Sequence, residues 1–453
     1  MNDNIFRAYD IRGIYETDIS LDLAYDIGRA FGTILYNGGK NTTIVGYDNR
    51  ISSVDLYNAL TNGIISTGID VINIGLVTTP MYYFAWYLFK VTSGIMITAS
   101  HNPKEYNGFK ISFNGKYNAY GDDILKFKNI IKKAEFVKGS GTIRNEDIKA
   151  RYVDFIFESI RFGDKKLTVA VDAGNGSAAV IINDVIKRAN HNFFKLYTTS
   201  EPDFPNHHPD PSVVENMADL RNMVITNKCD VGFAYDGDAD RIGMVDELGN
   251  IVSPDEIMII IIRDILPKLR DKRILYDVKC SKSLEDEIKV LGGIPVLSRT
   301  GNSYLRAAIY NERILFGGEL SGHLFFNDKF EGYDDGIYAS LRIMEILSHT
   351  DKTISQLLEG ISKYYSTPEI KIAVLETNKF AIVEKIKAYA TTMNYSFIDI
   401  DGCKIIWDDA FALVRASNTG PDLTVRFEAK TEERLQAINE EFITLINKIK
   451  SLS

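Results

Sequence analysis

Short apolar segments alternate with longer amphipathic segments along most of the chain, and this alternation predicts strands and helices in turn. A β-branched run ending at an aspartate occurs three times, as TTIVGYD, LTVAVDA and RILYDVK, which places Asp48, Asp172 and Asp277 at the ends of predicted strands. Each run is followed by a segment of helical character and then by a second short apolar run. Strand, helix and strand in this order predict a βαβ unit with parallel strands.

The similarity of the three units continues beyond the second strand. A third predicted strand leads in each unit to a polar or glycine-rich loop, in GIMITASHNP, VGFAYDGDAD and RILFGGELSGH. A hairpin is predicted next in the first two units, and then a helix that starts with acidic residues; Ser253 to Glu256 has the pattern of a capping box, with Pro254 at the first helical position. Because ligands bind at the carboxyl ends of strands in open α/β sheets, we expect the three loops to line one cleft.

The pattern changes after about Tyr364. This stretch contains a helical segment, NKFAIVEKIKAYATTM, strand-like runs around WDDAFALV and LTVRFEA, and a long amphipathic helix from Thr431 to about Lys450. We therefore predict an α/β fold with three similar mixed-sheet α/β domains and a smaller C-terminal α+β domain around a central cleft. The predicted domains are residues 1–147, 148–252, 253–363 and 364–453, and we expect the last to act as a lid or clamp.

Length and charge limit the classes of partner. A chain of 453 residues is long enough for about three or four domains. Its net charge of -9 disfavours general binding to nucleic acid or to an anionic membrane, for which a basic face supplies the attraction. The longest apolar run, Ile257 to Ile262, is too short to span a bilayer. Three cysteines without a CxxC pair, and an N-terminus without a signal-peptide pattern, predict a cytoplasmic protein with a small-molecule partner.

Three aspartates in YDGDADR predict a metal site. Asp236, Asp238 and Asp240 follow a predicted buried strand, and side chains at i, i+2 and i+4 of an extended segment point the same way, toward a cation that prefers oxygen ligands. An EF-hand loop is excluded because its sixth position is Arg241 rather than glycine. A haloacid-dehalogenase-like phosphatase would place its aspartate near the chain start. A solvated acidic turn is the plain alternative, but acids so close would repel one another without a cation, so we predict one Mg²⁺ per chain.

The loop TASHNP presents Ser100 and His101 after an apolar strand. Neither a GxSxG elbow nor a Ser-His-Asp constellation can be identified from spacing, so hydrolase chemistry has little support. A serine can instead carry a phosphoryl group, which an adjacent cation would neutralise and activate. Lys110, one hairpin strand away, can supply a second positive charge. Taken alone, each of these residues has an ordinary structural role as its alternative.

Two further loops have side chains suited to a phosphorylated sugar. GGELSGH combines acceptors and donors that fit a polyol, from Glu319, Ser321 and His323. RASNTGP combines a guanidinium, hydroxyls and free backbone amides that fit a phosphate dianion, from Arg415, Ser417, Asn418 and Thr419. The second loop lacks the GK[ST] ending of a Walker A motif and the Rossmann fingerprint, so it implies neither a nucleoside triphosphate nor NAD. Each loop alone is as well explained by a polar turn.

Together these motifs resemble those of the α-D-phosphohexomutase superfamily, in particular its bacterial phosphomannomutase/phosphoglucomutase branch. The resemblance runs from FRAYDIRG at 6–13 through TASHNP, FPNHHPDP at 204–211, DGDADR and GGELSGH to RASNTGP, and so covers essentially the whole chain. It implies three similar α/β domains and a fourth, smaller one around a deep cleft. It further implies an isomerase that moves a phosphoryl group reversibly between O6 and O1 of mannose or glucose phosphate, with glucosamine phosphate as the second choice of substrate. A non-catalytic sugar-phosphate-binding paralogue and a metal-dependent phosphatase are the alternatives from other classes.

The resemblance also implies a role for each matched residue. Ser100 is expected to be the phosphoserine and, through its phosphate, a ligand of the metal beside the three aspartates. The residues expected around that phosphate are Arg12, His101, Lys110 and Arg241. The residues expected at the sugar are Tyr9, Glu319, Ser321 and His323, with Lys279 as a candidate in acid-base chemistry. The residues expected at the non-reacting phosphate are Arg415, Ser417, Asn418 and Thr419. Hexose 1,6-bisphosphate is expected as the intermediate and as an activator, and the protein as a monomer or weak homodimer.

Two positions depart from the family pattern. Asn302, in RTGNS, stands where mannose/glucose enzymes often carry histidine, so another group must carry any proton that this histidine moves in relatives. Gly420 stands where relatives commonly have glutamate or threonine, which affects mainly the flexibility of the distal phosphate loop.

Overall fold

The structure, a computed structural model, describes residues 2–417 and 420–451. The first unit begins after a 3₁₀ turn at Asp3–Ile5. Its strands are β1 (Ile11–Ile14), β2 (Thr42–Tyr47), β3 (Asp70–Leu76), β4 (Gly94–Ile97), β5 (Tyr106–Ser112) and β6 (Ile143–Asn145). Its helices are α1 (Leu21–Asn37), α2 (Ser53–Ile65), α3 (Thr79–Phe89) and α4 (Asp122–Lys133). The strand order across the sheet is β1-β5-β4-β2-β3-β6, with β4, β2 and β3 parallel.

The second unit repeats this plan. Its helices are α5 (Lys149–Glu158), α6 (Ile182–Ala189) and α7 (Ala218–Asn227), with 3₁₀ turns at Ser177–Val180 and Val214–Met217. Its strands are β7 (Thr168–Asp172), β8 (Asn192–Leu196), β9 (Val231–Tyr235), β10 (Ile242–Asp246) and β11 (Ile251–Val252), in the order β11-β10-β9-β7-β8. The helical character predicted after β7 is present, as a 3₁₀ turn at Ser177–Val180 followed by α6. The Ser177 hydroxyl in this turn donates to the Gly237 carbonyl at 2.5 Å, which ties the turn to the aspartate loop.

The third unit has the smallest sheet of the repeat. Its helices are α8 (Pro254–Ile265), α9 (Lys282–Val290), α10 (Asn302–Glu312), α11 (Gly336–Ser348) and α12 (Ile354–Leu357), with a 3₁₀ turn at Leu266–Lys268. Its strands are β12 (Arg273–Asp277), β13 (Ile294–Ser298), β14 (Phe316–Gly318) and β15 (Leu324–Phe326), in the order β13-β12-β14-β15. The predicted capping box of Ser253 and Glu256 is present at the start of α8, with Pro254 as its first residue.

The C-terminal unit differs in topology from the three α/β units, as predicted. Its strands are β16 (Tyr365–Ser366), β17 (Ile370–Ala373), β18 (Phe397–Ile398), β19 (Cys403–Trp407), β20 (Ala410–Ala416) and β21 (Asp422–Ala429), and every pairing between them is antiparallel. Its helices are α13 (Lys379–Thr392) and α14 (Glu432–Ser451), which pack on this sheet. The predicted fold class, three similar α/β units and a different C-terminal unit, is confirmed.

The apolar core joins the first three units and leaves the fourth with its own core. One buried cluster contains Tyr83 of α3, Tyr152 of α5 and Tyr333 before α11, so side chains of all three repeats pack against one another. A separate cluster fills the fourth unit between its sheet and its helices. Within the described part of the chain, no helix has both the length and the apolar character needed to cross a bilayer.

Candidate active site

The loops after β4, β9 and β14 meet, as the repeat predicts. The Ser100 hydroxyl in the first loop donates to Asp236 Oδ2 in the second at 2.8 Å. Gly237 lies so close to the first loop that a Cβ atom built on it would be 2.3 Å from the Ser100 carbonyl oxygen, which only glycine permits. Arg241 of the second loop forms an antiparallel bridge with His323 of the third. The three loops therefore form one continuous site at the carboxyl ends of parallel strands.

Ser100 is held in a strained and buried position. It is 2% exposed, and its φ angle of 51° lies in the left-handed region that non-glycine residues seldom adopt. Its amide donates to Thr98 Oγ1 at 2.9 Å, and its carbonyl accepts a hydrogen bond from Arg50 Nη2 at 2.8 Å. His101 Nδ1 lies 3.2 Å from the Ser100 hydroxyl. Backbone strain of this kind concentrates at functional sites, where the surroundings impose it.

The predicted triad is assembled, although not in the way the sequence suggests. Asp236, Asp238 and Asp240 are fully buried, and they offer carboxylate oxygens that all lie within 4.8 Å of one another. The segment does not stay extended, which was the condition for the carboxylates to point the same way: β9 ends at Tyr235, and the chain then turns, with Ala239 at a φ of 62°. The turn brings the three carboxylates together because it reverses the chain between them, whereas an extended strand would space them along its length.

Lys110 contacts the aspartates rather than the serine. Its Nζ atom donates to Asp238 Oδ2 at 2.7 Å and to Asp240 Oδ2 at 2.5 Å, and Thr79 Oγ1 also donates to Asp238. Burial by itself would raise the pKa of Asp238, but the Lys110 ammonium and these hydrogen bonds lower it. Burial and the neighbouring carboxylates raise the pKa of Asp236 well above its usual range. One ammonium therefore compensates the charge of the triad only in part.

The triad fits a divalent cation. Its donors are all carboxylate oxygens, which Mg²⁺ and Ca²⁺ prefer. Asp238 Oδ1 and Asp240 Oδ1 are buried and accept no hydrogen bond from any residue that the structure describes. A buried carboxylate oxygen in this position is costly unless a cation or water satisfies it. These residues can therefore hold a divalent metal beside Ser100.

Basic and imidazole groups surround the serine and the triad. Arg12 Nη1 donates to Asn102 Oδ1 at 2.6 Å, which ties the N-terminal motif to the serine loop. Burial lowers the pKa of His101 well below its usual value, and the nearby Arg241 and Arg12 guanidinium groups add to this shift, so that the His101 imidazole is neutral. Arg241 Nε donates to His323 Nε2 at 2.9 Å. These cations are placed where a phosphoserine would need charge compensation.

His323 belongs to a buried acid-imidazole cluster. Its Nδ1 atom lies 2.7 Å from Asp334 Oδ2, and Asn302 Nδ2 donates to the same carboxylate at 3.3 Å. Burial opposes protonation of the imidazole, but the charge of Asp240 and the contact with Asp334 raise the pKa of His323 above its ordinary value. Asn302, the departure from the family pattern, is therefore part of this cluster.

The residues of the loop after β14 lie beside the same site, on the third unit. Glu319 is buried and accepts a hydrogen bond from the Gly301 amide at 2.6 Å, and its burial raises its pKa. Ser321 is half-buried in the next turn. Tyr9 reaches this region from the N-terminal motif, because a Cβ atom built on Gly301 would lie 3.0 Å from its ring. The structure thus brings Tyr9, Glu319 and Ser321 to one region.

Two cations that the sequence assigns to the substrate site are paired with carboxylates of the C-terminal unit. Lys279 Nζ lies 2.6 Å from Glu369 Oε1. Burial alone would lower the pKa of Lys279, but Glu369 and Asp277 raise it, so this side chain is an ammonium. Arg415 Nε donates to Asp401 Oδ2 at 3.0 Å. Arg415 Nη2 is buried and makes no hydrogen bond within residues 2–417 and 420–451, so it remains a donor for an anion.

The distal phosphate loop is described only at its two ends. Ser417 is buried, and its carbonyl accepts a hydrogen bond from Lys379 Nζ at 3.0 Å. The Gly420 amide donates to Ser417 Oγ at 3.2 Å. Asn418 and Thr419, which the sequence assigns to the same phosphate site, lie outside the described residues.

Motif reasoning missed several residues that hold the site together. They support loops through contacts with distant parts of the chain, and they are Arg50, Thr79, Asp334, Glu369, Lys379 and Asp401. Only Arg50 carries a signal in the sequence, because it lies two residues after a strand-end aspartate.

Models of all four phosphoglucomutase/phosphomannomutase domains match the chain in order. The alpha/beta/alpha domains I, II and III match residues 3–138, 150–249 and 253–365, and the C-terminal domain matches residues 369–445. The chain therefore belongs to the phosphoglucomutase/phosphomannomutase family, which confirms the resemblance seen in its motifs.

Individual relatives agree with this assignment. The phosphomannomutase/phosphoglucomutase of Pseudomonas aeruginosa is 38% identical over 448 residues, which cover 99% of this chain and 96% of the relative. The phosphoglucomutase of Neisseria gonorrhoeae is also 38% identical, over 98% of this chain and 96% of the relative. The crystal structure of a family protein from Burkholderia thailandensis superposes with a TM-score of 0.92 at 36% identity and covers 99% of this chain and 98% of its own.

Proposed function

We propose that this protein catalyses reversible phosphoryl transfer between O6 and O1 of a hexose phosphate, with mannose and glucose phosphates as substrates. The observation that carries this proposal is the contact of 2.8 Å between the Ser100 hydroxyl and Asp236 within a buried aspartate triad. A serine placed beside a divalent metal site, with Arg12 and Arg241 close by, suits a residue that carries a phosphoryl group. Membership of the phosphoglucomutase/phosphomannomutase family supports the same reaction.

The metal that we propose is one Mg²⁺, held by Asp236, Asp238, Asp240 and the phosphate of Ser100. When bound, it supplies charge neutralisation at the transferring phosphoryl group. Arg12 and Arg241 can add positive charge on the other sides of that group, and Lys110, which donates to Asp238 and Asp240, adds positive charge on the side of the triad. The neutral His101 beside the hydroxyl adds no repulsive charge to these cations. Positioning and charge compensation account for most of the catalysis in phosphoryl transfer.

The reaction has two halves. In the first, O1 of hexose 6-phosphate attacks the phosphorus of phosphorylated Ser100: the P–Oγ bond breaks, the P–O1 bond forms, and the O1 proton passes to a basic group in the cleft. In the second, the bisphosphate has turned end for end and the Ser100 Oγ atom attacks the phosphorus of its 6-phosphate: the P–O6 bond breaks, the P–Oγ bond forms again, O6 takes up a proton, and hexose 1-phosphate is released. Lys279, held as an ammonium by Glu369, suits the donation of a hydrogen bond or proton rather than proton abstraction.

The turn of the intermediate needs a distal site that accepts either end of the sugar. We assign this site to Arg415, Ser417, Asn418 and Thr419, with Glu319 and Ser321 at the sugar hydroxyls between the two phosphates. The Nη2 atom of Arg415, which makes no hydrogen bond with any residue that the structure describes, supports this assignment. Escape of the bisphosphate would leave Ser100 without its phosphoryl group, so added hexose 1,6-bisphosphate is expected to activate the protein. A monomer or weak homodimer in the cytoplasm stays our prediction.

The test is an isomerase assay on the full chain with Mg²⁺ and a trace of hexose 1,6-bisphosphate. Mannose 1-phosphate and glucose 1-phosphate should be converted to their 6-phosphates, and glucosamine 1-phosphate should be the poorer substrate. Release of free phosphate without formation of the isomer would contradict the proposal. Ser100→Ala should lose the activity and the phosphoryl group seen by intact mass, whereas Ser140→Ala, at an exposed serine, should keep both.

A further inference from the structure

The turn that carries Lys279 is built by two units of the protein together. It follows β12 of the third unit, where Val278 is fully buried. The Val278 side chain belongs to a small apolar cluster with Phe411 and Leu413 of β20 in the C-terminal unit. The side chain next to Lys279 is therefore packed by the fourth unit.

Two cations of the fourth unit also hold the backbone of this turn. Lys404 Nζ donates to the Val278 carbonyl at 2.8 Å, and Arg426 Nη1 donates to the Lys279 carbonyl. Lys404 is 5% exposed and Arg426 is 7% exposed. Hydrogen bonds from charged donors in such buried places are stronger than those between neutral groups, and loss of one partner leaves the other unsatisfied.

The Lys279 side chain is also held by a residue of the fourth unit. Its ammonium lies 2.6 Å from Glu369 Oε1, in the segment between β16 and β17. One turn further along, the Lys282 amide donates to Glu428 Oε1 of β21 at 2.7 Å. The backbone on both sides of Lys279 and the end of its side chain are thus fixed by the fourth unit.

The equivalent turns of the other repeats are held differently. In the first unit Arg50 Nε donates to Asp48, within the turn itself. In the second unit Asp172 accepts a hydrogen bond from the Gly174 amide at 2.8 Å and contacts His207 at 2.9 Å, both in the same unit. Among the described residues, the third of these equivalent turns is the one that the C-terminal unit holds by hydrogen bonds and packing.

We propose that Lys404 and Arg426 are positioning residues that set the place of Lys279 in the cleft. They act on Lys279 through two backbone carbonyls, so a displacement of the fourth unit carries the Lys279 ammonium with it. The catalytic consequence rests on the proposed function, in which Lys279 faces the substrate. The geometric consequence, that Lys279 is held by these two cations, does not depend on it.

Kinetics test the catalytic consequence. Lys404→Met should lower kcat about 10- to 100-fold, because displacement of a catalytic group by about 1 Å has effects of this size. Lys404→Arg, which keeps a cationic donor, should restore most of the loss. In a double-mutant cycle, Lys404→Met added to Lys279→Met should cause little further loss. The proposal would be overturned if the losses in kcat of the two single variants multiplied in the double variant. It would also be overturned if the Lys404→Met protein had the kcat of the wild type. Arg426→Met provides the same cycle if Lys404→Met does not fold.

Chemical labelling tests the geometric consequence without any assay of activity. Acetic anhydride should acetylate Lys279 slowly in the wild-type protein and faster in Lys404→Met and Arg426→Met, as measured by peptide mass spectrometry. The exposed Lys448 of α14 should be labelled equally in all proteins, and Lys448→Met is the matched control variant. An unchanged rate of acetylation at Lys279 in both variants would refute the proposal that Lys404 and Arg426 hold this residue. An inactive wild-type protein would contradict the proposed function and leave this labelling result to decide the positioning role.

Discussion

Arg50 gives the sharpest test of how the serine loop is held. It is 2% exposed and uses all five of its N–H donors. Nη1 donates to the carbonyls of Pro103 and Tyr106 at 2.6 and 3.0 Å, and Nη2 to those of Ser100 and Asn102 at 2.8 and 2.6 Å. Nε completes the set with a bond of 3.2 Å to Asp48. We predict that Arg50→Met destabilises the first unit and displaces Ser100.

The magnitude follows from what the substitution leaves behind. The buried Ser100 carbonyl would lose a partner, which costs about 1–3 kcal/mol. Asp48, also 2% exposed, would become a buried carboxylate without its cation, and breaking such a pair costs about 3–5 kcal/mol. The Ser53 hydroxyl and the residue-50 amide still donate to Asp48, and the other carbonyls are nearer to water, so the effects do not simply add. We expect a loss of about 3–5 kcal/mol in the free energy of unfolding.

Urea unfolding in a Trp407→Phe background measures this loss, because Trp86 of α3 is then the sole tryptophan. The double variant Asp48→Asn/Arg50→Met should be more stable than Arg50→Met, since it removes the uncompensated charge. A loss below about 1 kcal/mol for Arg50→Met would refute the reasoning about buried partners. A double variant less stable than Arg50→Met would refute the part assigned to Asp48.

Two further predictions concern the metal site and a buried acid. Adding Mg²⁺ to the EDTA-treated protein should raise Tm, because a ligand at a hundred times its Kd stabilises the native state by about 2.7 kcal/mol. Asp238→Asn should lose most of this increase in Tm in a thermal melt. An equal increase in the variant and the wild type would contradict the assignment of Asp238 as a metal ligand. Burial raises the pKa of Asp335 to about 7 from 3.8, so its contribution to stability is present below about pH 4 and is lost as the pH rises through about 7. Asp335→Asn keeps an oxygen acceptor for the Tyr338 amide and places its NH₂ group opposite the Tyr152 hydroxyl oxygen, which can accept a hydrogen bond from it. The variant should therefore raise Tm at pH 8 by an amount that shrinks toward pH 4, and a difference independent of pH would show that the charge is not the cause.

The scaffold was predictable because it repeats. Strands β2, β7 and β12 end at or next to Asp48, Asp172 and Asp277, and each pairs in parallel with the next two predicted strands of its unit. Apolar periodicity and strand ends are local properties, so the sequence carries them directly. The convergence of the loops followed from the same repeat, since equivalent strands end at equivalent edges.

The turn geometry and the long-range partners were not predictable in this way. Aspartates at alternate positions point the same way only in an extended segment, and nothing local indicates that Ala239 adopts a left-handed conformation. The same turn packs at Gly237 against the serine loop, 137 positions earlier at Ser100, and no local pattern indicates this contact either. The pairing of Lys279 with Glu369 likewise depends on how the fourth unit docks, which no local pattern specifies.

The strand-end aspartates show why repetition alone does not determine function. Asp48 accepts hydrogen bonds from Arg50, which organises the serine loop, and Asp172 contacts His207 of the FPNHHPDP motif. Asp277 accepts from the Leu320 amide of the sugar loop at 3.2 Å and from Thr300 Oγ1 at 2.9 Å. The same residue at the same strand end thus fixes a different loop in each unit, because its partner differs. The repeat therefore determines the position of each loop at the edge of its sheet. The residue that contacts the strand-end aspartate determines which loop that aspartate fixes.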